Sequence, residues 1–122
     1  MIVGIGIDVV DIDRFERTLA RTPRLRERLF SVAERDLPPR SLAARYAAKE
    51  ALIKALGGFS GATWHDMRVV QDAAGKPDFE LTGALATRVA SCRVARVHLS
   101  MTHDAGIASA FVVLESREAG GQ

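Results

Sequence analysis

Positions 2–10 read IVGIGIDVV, a run so rich in β-branched residues that it predicts a strand, yet it carries two glycines. Side chains alternate across a strand, so Val3, Ile5, Ile7 and Val9 share one face, and Ile2, Gly4, Gly6, Asp8 and Val10 share the other. Glycine weakens a strand interior, and one reason to keep it is that something must approach the backbone closely. Asp8 therefore looks down a face cleared of side chains. Asp11 and Asp13 follow, and either can cap a helix beginning near residue 12, where a negative side chain suits the positive end of the helix dipole. Asp8 lies too early for capping and needs another explanation.

The rest of the chain divides into short elements. The first helix should stop before Pro23, because the residue preceding proline avoids the α region. Leu25 to Phe30 is a short amphipathic stretch. Ser31-Val32-Ala33-Glu34 has the S-x-x-E spacing of a capping box, which predicts another helical turn. After Pro38-Pro39, the run SLAARYAAKEALIKALGG from Ser41 is dense in alanine, leucine and lysine and closes on two glycines, which defines a long helix. WHDMRVVQDAAGKPDFEL reads as two strands turning at Ala74-Gly75-Lys76-Pro77, and Thr82 begins a helix to about Ser91. VARVHLSMTH and GIASAFVVLE predict a long hairpin turning at His103-Asp104-Ala105-Gly106. The order is that of a single α+β domain over residues 1–116, with a largely antiparallel sheet packed against a long helix, and residues 117–122 form a loose tail.

At 122 residues the chain has room for one hydrophobic core. No stretch approaches the roughly 20 apolar residues that cross a bilayer, so a membrane span is not expected. No secretory leader is visible, and Cys92 is the only cysteine, which points to a reducing cytoplasm. Net charge is +2 but unevenly spread: residues 14–45 hold nine arginines against four acids. That segment calls for an anionic partner, whether nucleic acid, membrane surface or acidic protein, unless it is only a solvated helical face.

Several chemistries are excluded by pattern. Gly4-x-Gly6 lacks the third glycine of a dinucleotide fingerprint, since Val9 stands there, and no parallel βαβ unit follows. No G-x-x-x-x-G-K-[ST] loop exists, and one cysteine cannot build a multi-cysteine zinc site. The long helix is more informative. Glu50 and Lys54 lie four residues apart on one face, either as a surface ion pair or as part of a site. With Asp8 from the strand, Glu50 can share a hard cation such as Mg²⁺, which takes one or two protein carboxylates and completes its shell with water and substrate phosphate. Lys54 would then meet the same phosphate. Ser100, Thr102, His103 and Asp104 form a third polar group at the hairpin end, as turn formers or as ligands. His65, His98 and Cys92 read as structural or surface residues.

Taken in order, GIGIDVVDIDRF, F-S-V-A-E, RYAAKEALIKAL, W-x-D with GKP, and HLSMTHD resemble the holo-(acyl carrier protein) synthases, small bacterial 4′-phosphopantetheinyl transferases, from Ile2 to about Leu114. The resemblance implies transfer of phosphopantetheine from coenzyme A to a serine of an acidic apo acyl carrier protein, in fatty-acid or polyketide synthesis, by a homotrimer with active sites between subunits. It implies Mg²⁺ ligands at Asp8 and Glu50 and a phosphate-binding lysine at Lys54. Arg45 would face the 3′-phosphate of the coenzyme, with Lys49 nearby. Gly75, Lys76 and Pro77 match the adenine-side loop, and His103 a histidine near the phosphates. The S-x-S-H of the family is here Ser100-Met101-Thr102-His103, which keeps the hydroxyl.

The basic segment then has a partner in the acidic carrier protein, with Arg14, Arg21, Arg24 and Arg28 near one side. A non-catalytic nucleic-acid-binding module is the competing reading of the same arginines. Against it, the seven aromatic residues form no evident stacking platform. The base that takes the serine proton stays open between Glu50, a metal-bound water, and His103 or Asp104.

Overall fold

The structure, a computed structural model, describes residues 1–60 and 63–117. Its elements are β1 (Ile2–Asp11), α1 (Ile12–Arg21), α2 (Leu25–Leu29), α3 (Pro39–Ala55), β2 (Met67–Gln71), β3 (Pro77–Leu81), α4 (Gly83–Ser91), β4 (Val94–Asp104) and β5 (Ile107–Ser116). Strands β1, β5 and β4 pair in that order into one antiparallel sheet, and β2 with β3 forms a second, two-stranded one. The expected α+β architecture is present, with its strands divided between two sheets.

The two glycines of β1 explain how α3 sits. A Cβ at Gly6 would lie 1.8 Å from the Ala51 carbonyl oxygen, and one at Gly4 would lie 2.2 Å from that of Ala55. The close approach inferred from the glycines is real, but the backbone of α3 makes it, not a ligand. Ala43, Ala47, Ala51 and Ala55 recur every fourth residue, so they form one strip along the helix, and all four are buried. Glycine against alanine lets helix and sheet approach far more closely than larger side chains would permit. The core continues through Ala108, Ala110, Val112 and Leu114 of β5 to Phe30, Leu42, Leu52, Met67 and Leu85.

The opposite face of β1 is open. Val3, Ile5, Ile7 and Val9 are 45%, 57%, 57% and 58% exposed. Phe111, paired with Ile7 on β5, extends this apolar face.

Local signals hold with small displacements. Asp11 caps α1 by accepting from the Arg14 amide at 2.9 Å. Helix α3 starts at Pro39, two residues before the expected Ser41, because proline is well suited to the first helical turn, where its missing N–H costs nothing. Trp64–Asp66 is a 3₁₀ turn, not the start of a strand. The β4–β5 hairpin turns on Ala105 and Gly106, whose φ values of 51° and 78° are those of a two-residue primed turn. The tail expected at 117–122 falls, beyond Arg117, outside the described residues.

Candidate active site

Asp8 follows the glycines on the face of β1 that packs against α3. Lys54 Nζ donates to Asp8 Oδ1 at 2.9 Å and to the Ile7 carbonyl oxygen at 3.1 Å. The hydrogen bond to Asp8 and the charge of that carboxylate hold the Lys54 ammonium above its ordinary pKa. Asp8 is largely covered while Lys54 stays half exposed. The lysine therefore keeps its charge, fixes the carboxylate and still faces solvent.

Asp8 and Glu50 line one groove of about 520 Å³, together with Tyr46, Phe15, Trp64 and the α1–α2 residues Arg14, Thr18, Leu25 and Arg28. Its aromatic wall is continuous, since Tyr46 stacks on Phe15 with ring centroids 5.1 Å apart and tilts against Trp64 at 5.7 Å. Burial, reinforced by the Glu50 carboxylate beside it, pushes the Tyr46 phenol up to about 12. Tyr46 thus stays a neutral phenol beside Glu50. The sequence reading missed it, although its position four residues before Glu50 was a usable signal.

Two carboxylates on one groove form the kind of hard-oxygen donor pair from which Mg²⁺ usually takes its protein ligands. Among the described residues, no group of three or more His, Cys, Asp or Glu is placed to hold a metal. The donor set suits an ion that completes its shell with water and phosphate, and not a closed structural site.

Arg45 and Lys49, expected at the coenzyme, do not line the Asp8–Glu50 groove. Lys49 is fully buried: its Nζ donates to the Leu29 carbonyl oxygen at 2.8 Å and to Glu34 Oε1 at 2.9 Å, and sits 5.0 Å from the centre of the Phe30 ring. An ammonium so enclosed has no access to a ligand, so Lys49 is corrected here to an internal residue. Helix periodicity could not reveal this, because the carboxylate that draws Lys49 inward comes from a turn outside the helix. Arg45 is also buried, with Nε at 3.7 Å from Glu34 Oε2, an ion-pair distance without a hydrogen bond. Burial pushes both basic groups down in pKa, and Glu34 opposes that shift. The S-x-x-E signal is real in its bonds, with Glu34 Oε1 accepting from the Ser31 amide at 3.0 Å and Ser31 Oγ at 3.2 Å. It closes an isolated turn that no helix follows directly.

The hairpin polar group is split by the pleat. His103 pairs with Ala108, which pairs with Val10, so it lies on the Asp8 face, and it is exposed. Ser100 pairs with Phe111 and Thr102 with Ser109, which places both on the opposite face beside Ile7 and Val9. Gly75, Lys76 and Pro77 form the β2–β3 turn, where Asp72 Oδ1 accepts from the amides of Ala74 and Lys76 at 2.9 Å each. Lys76 and Pro77 line a separate cleft of about 220 Å³ against Arg96–Leu99 of β4. Of the four α1–α2 arginines, Arg14 and Arg28 line the Asp8–Glu50 groove. Arg24 lines a neighbouring trough that also includes Arg28, and Arg21 closes α1.

A groove with one strand carboxylate and one helix carboxylate, the former bound by a lysine, on this order of elements, defines a class. The model of the 4′-phosphopantetheinyl transferase superfamily matches residues 4–109, and the chain belongs to that superfamily. Within it, the chain is 62% identical over 119 residues to the holo-(acyl-carrier-protein) synthase of Clavibacter sepedonicus, covering 98% of this chain and 100% of that relative. The crystal structure of the Neisseria meningitidis holo-(acyl-carrier-protein) synthase superposes with a TM-score of 0.88 at 35% identity, covering 95% of this chain and 100% of the other. The Helicobacter pylori synthase in complex with coenzyme A gives 0.80 at 30% identity, covering 91% and 99%.

Proposed function

We propose that this protein transfers the 4′-phosphopantetheine group of coenzyme A to a serine hydroxyl of an apo acyl carrier protein, leaving adenosine 3′,5′-bisphosphate. The observation that carries the reading is that Asp8 and Glu50, distant in sequence, line one groove with Lys54 bound to Asp8 and two arginines at its side. Holo-(acyl-carrier-protein) synthase relatives and a coenzyme A complex of one of them support the substrates.

The serine oxygen attacks the phosphorus nearer the pantetheine; a new O–P bond forms, and the P–O bond to adenosine bisphosphate breaks. Such displacements depend on placement and charge neutralisation, with no covalent enzyme intermediate required. Asp8 and Glu50 are the residues that would hold Mg²⁺, and a bound Mg²⁺ neutralises charge on the diphosphate. Lys54 offers the diphosphate a cation that its bond to Asp8 keeps protonated. Glu50, which lines the groove, would accept the serine proton, directly or through water, with His103 or Asp104 as the alternative acceptor.

Arg14 and Arg28 at the groove, with Arg24 and Arg21 beside it, suit an acidic carrier protein. Ser100 and Thr102 share the open apolar face with Ile7 and Val9, turned from Asp8. We therefore place them in the site of a neighbouring copy, in a homotrimer that covers this face. The Gly75-Lys76-Pro77 turn would meet the adenosine end there, and Arg45 would turn its guanidinium from Glu34 to the 3′-phosphate. No helix of the described residues is long and apolar enough to cross a membrane. The lone Cys92 suits a cytoplasmic setting.

Incubating an apo carrier protein with coenzyme A, Mg²⁺ and this protein should add the phosphopantetheine mass to one serine, read by intact mass spectrometry. Absence of the adduct with carrier proteins of both fatty-acid and polyketide type would reject the reading.

A further inference from the structure

The buried charges beneath the groove have no part in the chemistry just described. Glu34 is 2% exposed and Lys49 0% exposed. The Glu34 carboxylate accepts from Ser31 and Lys49 through Oε1, and from the Val69 amide through Oε2 at 3.2 Å. One carboxylate thereby joins the turn after α2, helix α3 and strand β2. The lysine adds the Leu29 carbonyl oxygen at the end of α2. Lys49 adjoins Glu50 in α3, and Leu29 adjoins Arg28 in α2. Glu50, Arg28 and Leu29 all line the same groove. The bond from Lys49 to Leu29 therefore ties the groove's two walls together from below, one residue away from a carboxylate on one wall and an arginine on the other.

We infer that the Glu34–Lys49 pair is a positioning device that sets the rotation of α3 and its spacing from α2, so that Glu50 and Arg28 face the groove together. Charge suits this task better than apolar packing. Burying an ion pair adds little net stability over hydrophobic residues of the same volume, but an ammonium aimed at two fixed acceptors permits one arrangement, where an apolar side chain tolerates several. Phe30, fully buried with its ring against Lys49 and nearly perpendicular to that of Phe15, passes the same register to the aromatic wall. The inference rests on the reading of Glu50 as a metal ligand and Arg28 as a carrier-protein contact.

The test combines kinetics with two measurements that need no turnover. In Lys49→Met, the KM for carrier protein and the dissociation constant for Mg²⁺ read by calorimetry should each rise about 10-fold, as when groups supporting a ligand are removed. With Mg²⁺ saturating, the KM for coenzyme A should stay within about twofold. Lys49→Met leaves the buried Glu34 with only the Arg45 guanidinium at ion-pair distance, so the paired variant Glu34→Gln with Lys49→Met is made alongside it. The pair removes both of these charges, leaves Arg45 as the one buried cation of the cluster, and should show the same selective loss. Carrier-protein KM and Mg²⁺ affinity unchanged in either variant when folded would overturn the inference.

Hydrogen exchange on the wild type decides the matter if neither variant folds. The amides of Ser31 and Val69, both bonded to Glu34, should exchange through the same opening as those of α3 at Ala48 and Leu52. Exchange of residues 25–34 far ahead of a protected α3 would also overturn it. Metal-dependent turnover surviving in Asp8→Ala would instead defeat the metal reading alone, and the exchange result would stand.

Discussion

Gly6 and Asp8 stand two residues apart on one strand face and answer to different demands. A methyl group at Gly6 would strike the Ala51 carbonyl oxygen, which is backbone and cannot swing aside. Gly6→Ala should therefore cost about 3 kcal/mol or more, read by denaturant unfolding. Asp8 is a matter of chemistry. Asp8→Ala and Glu50→Ala should leave a folded protein by circular dichroism and lower Mg²⁺-dependent transfer by roughly 100-fold or more. Near-normal turnover in either would count against the assigned ligands. Tyr46 adds a pH dependence. Its folded pKa, about 12, lies above the ordinary 10.0 of an unfolded tyrosine. A raised pKa means that the stabilisation is complete below the unfolded value and drains away as pH climbs toward the folded one. Thermal stability should accordingly fall between pH 10 and about 12, and Tyr46→Phe should flatten part of that fall. The raised pKa of Lys54 acts in the same direction.

Among elements, α3 carries the most. Its alanine strip faces the glycines of β1, its Tyr46–Glu50–Lys54 edge faces the groove or Asp8, and Lys49 reaches inward to Glu34. Helix periodicity in the sequence put Glu50 and Lys54 on one face but did not separate that edge from the alanine strip. It did not assign Lys49, because a lysine at helical spacing reads the same whether a carboxylate waits inside or water waits outside. The strands show the same division. Alternation alone told that Gly4, Gly6 and Asp8 share a face, but not that Ser100 and Thr102 lie opposite Asp8, since that depends on the pairing of β4 through β5 to β1. Helices α1 and α2 bear a prediction of their own: Arg14→Glu or Arg24→Glu should raise the KM for carrier protein by about 10-fold with little change for coenzyme A. The effect of each arginine should shrink with added salt, which screens exposed charges. Equal losses for both substrates would defeat the docking assignment.

At the scale of the whole molecule, the face built by Val3, Ile5, Ile7, Val9 and Phe111 is too apolar to be an ordinary solvated surface. Ile7→Asp should convert a trimer, measured by analytical ultracentrifugation, into monomers. It should also abolish transfer while Asp8 and Glu50 stay in place, because Ser100 and Thr102 then serve no neighbour. A wild type that sediments as a monomer and is fully active would remove the trimer from the account.

Periodicity, glycine placement and capping chemistry are local, and they were enough to read the α+β class, most of the element order, a cap at Asp11 or Asp13, and Asp8, Glu50 and Lys54 as candidates that the fold brings close together. Those signals survive because each is written within a few residues. What approaches the glycines, where Lys49 and Arg45 end up, and which hydroxyls face away from Asp8 depend on contacts between distant segments. Such contacts are selected by packing and by the cost of burying a charge without a partner, so only the folded chain decides them.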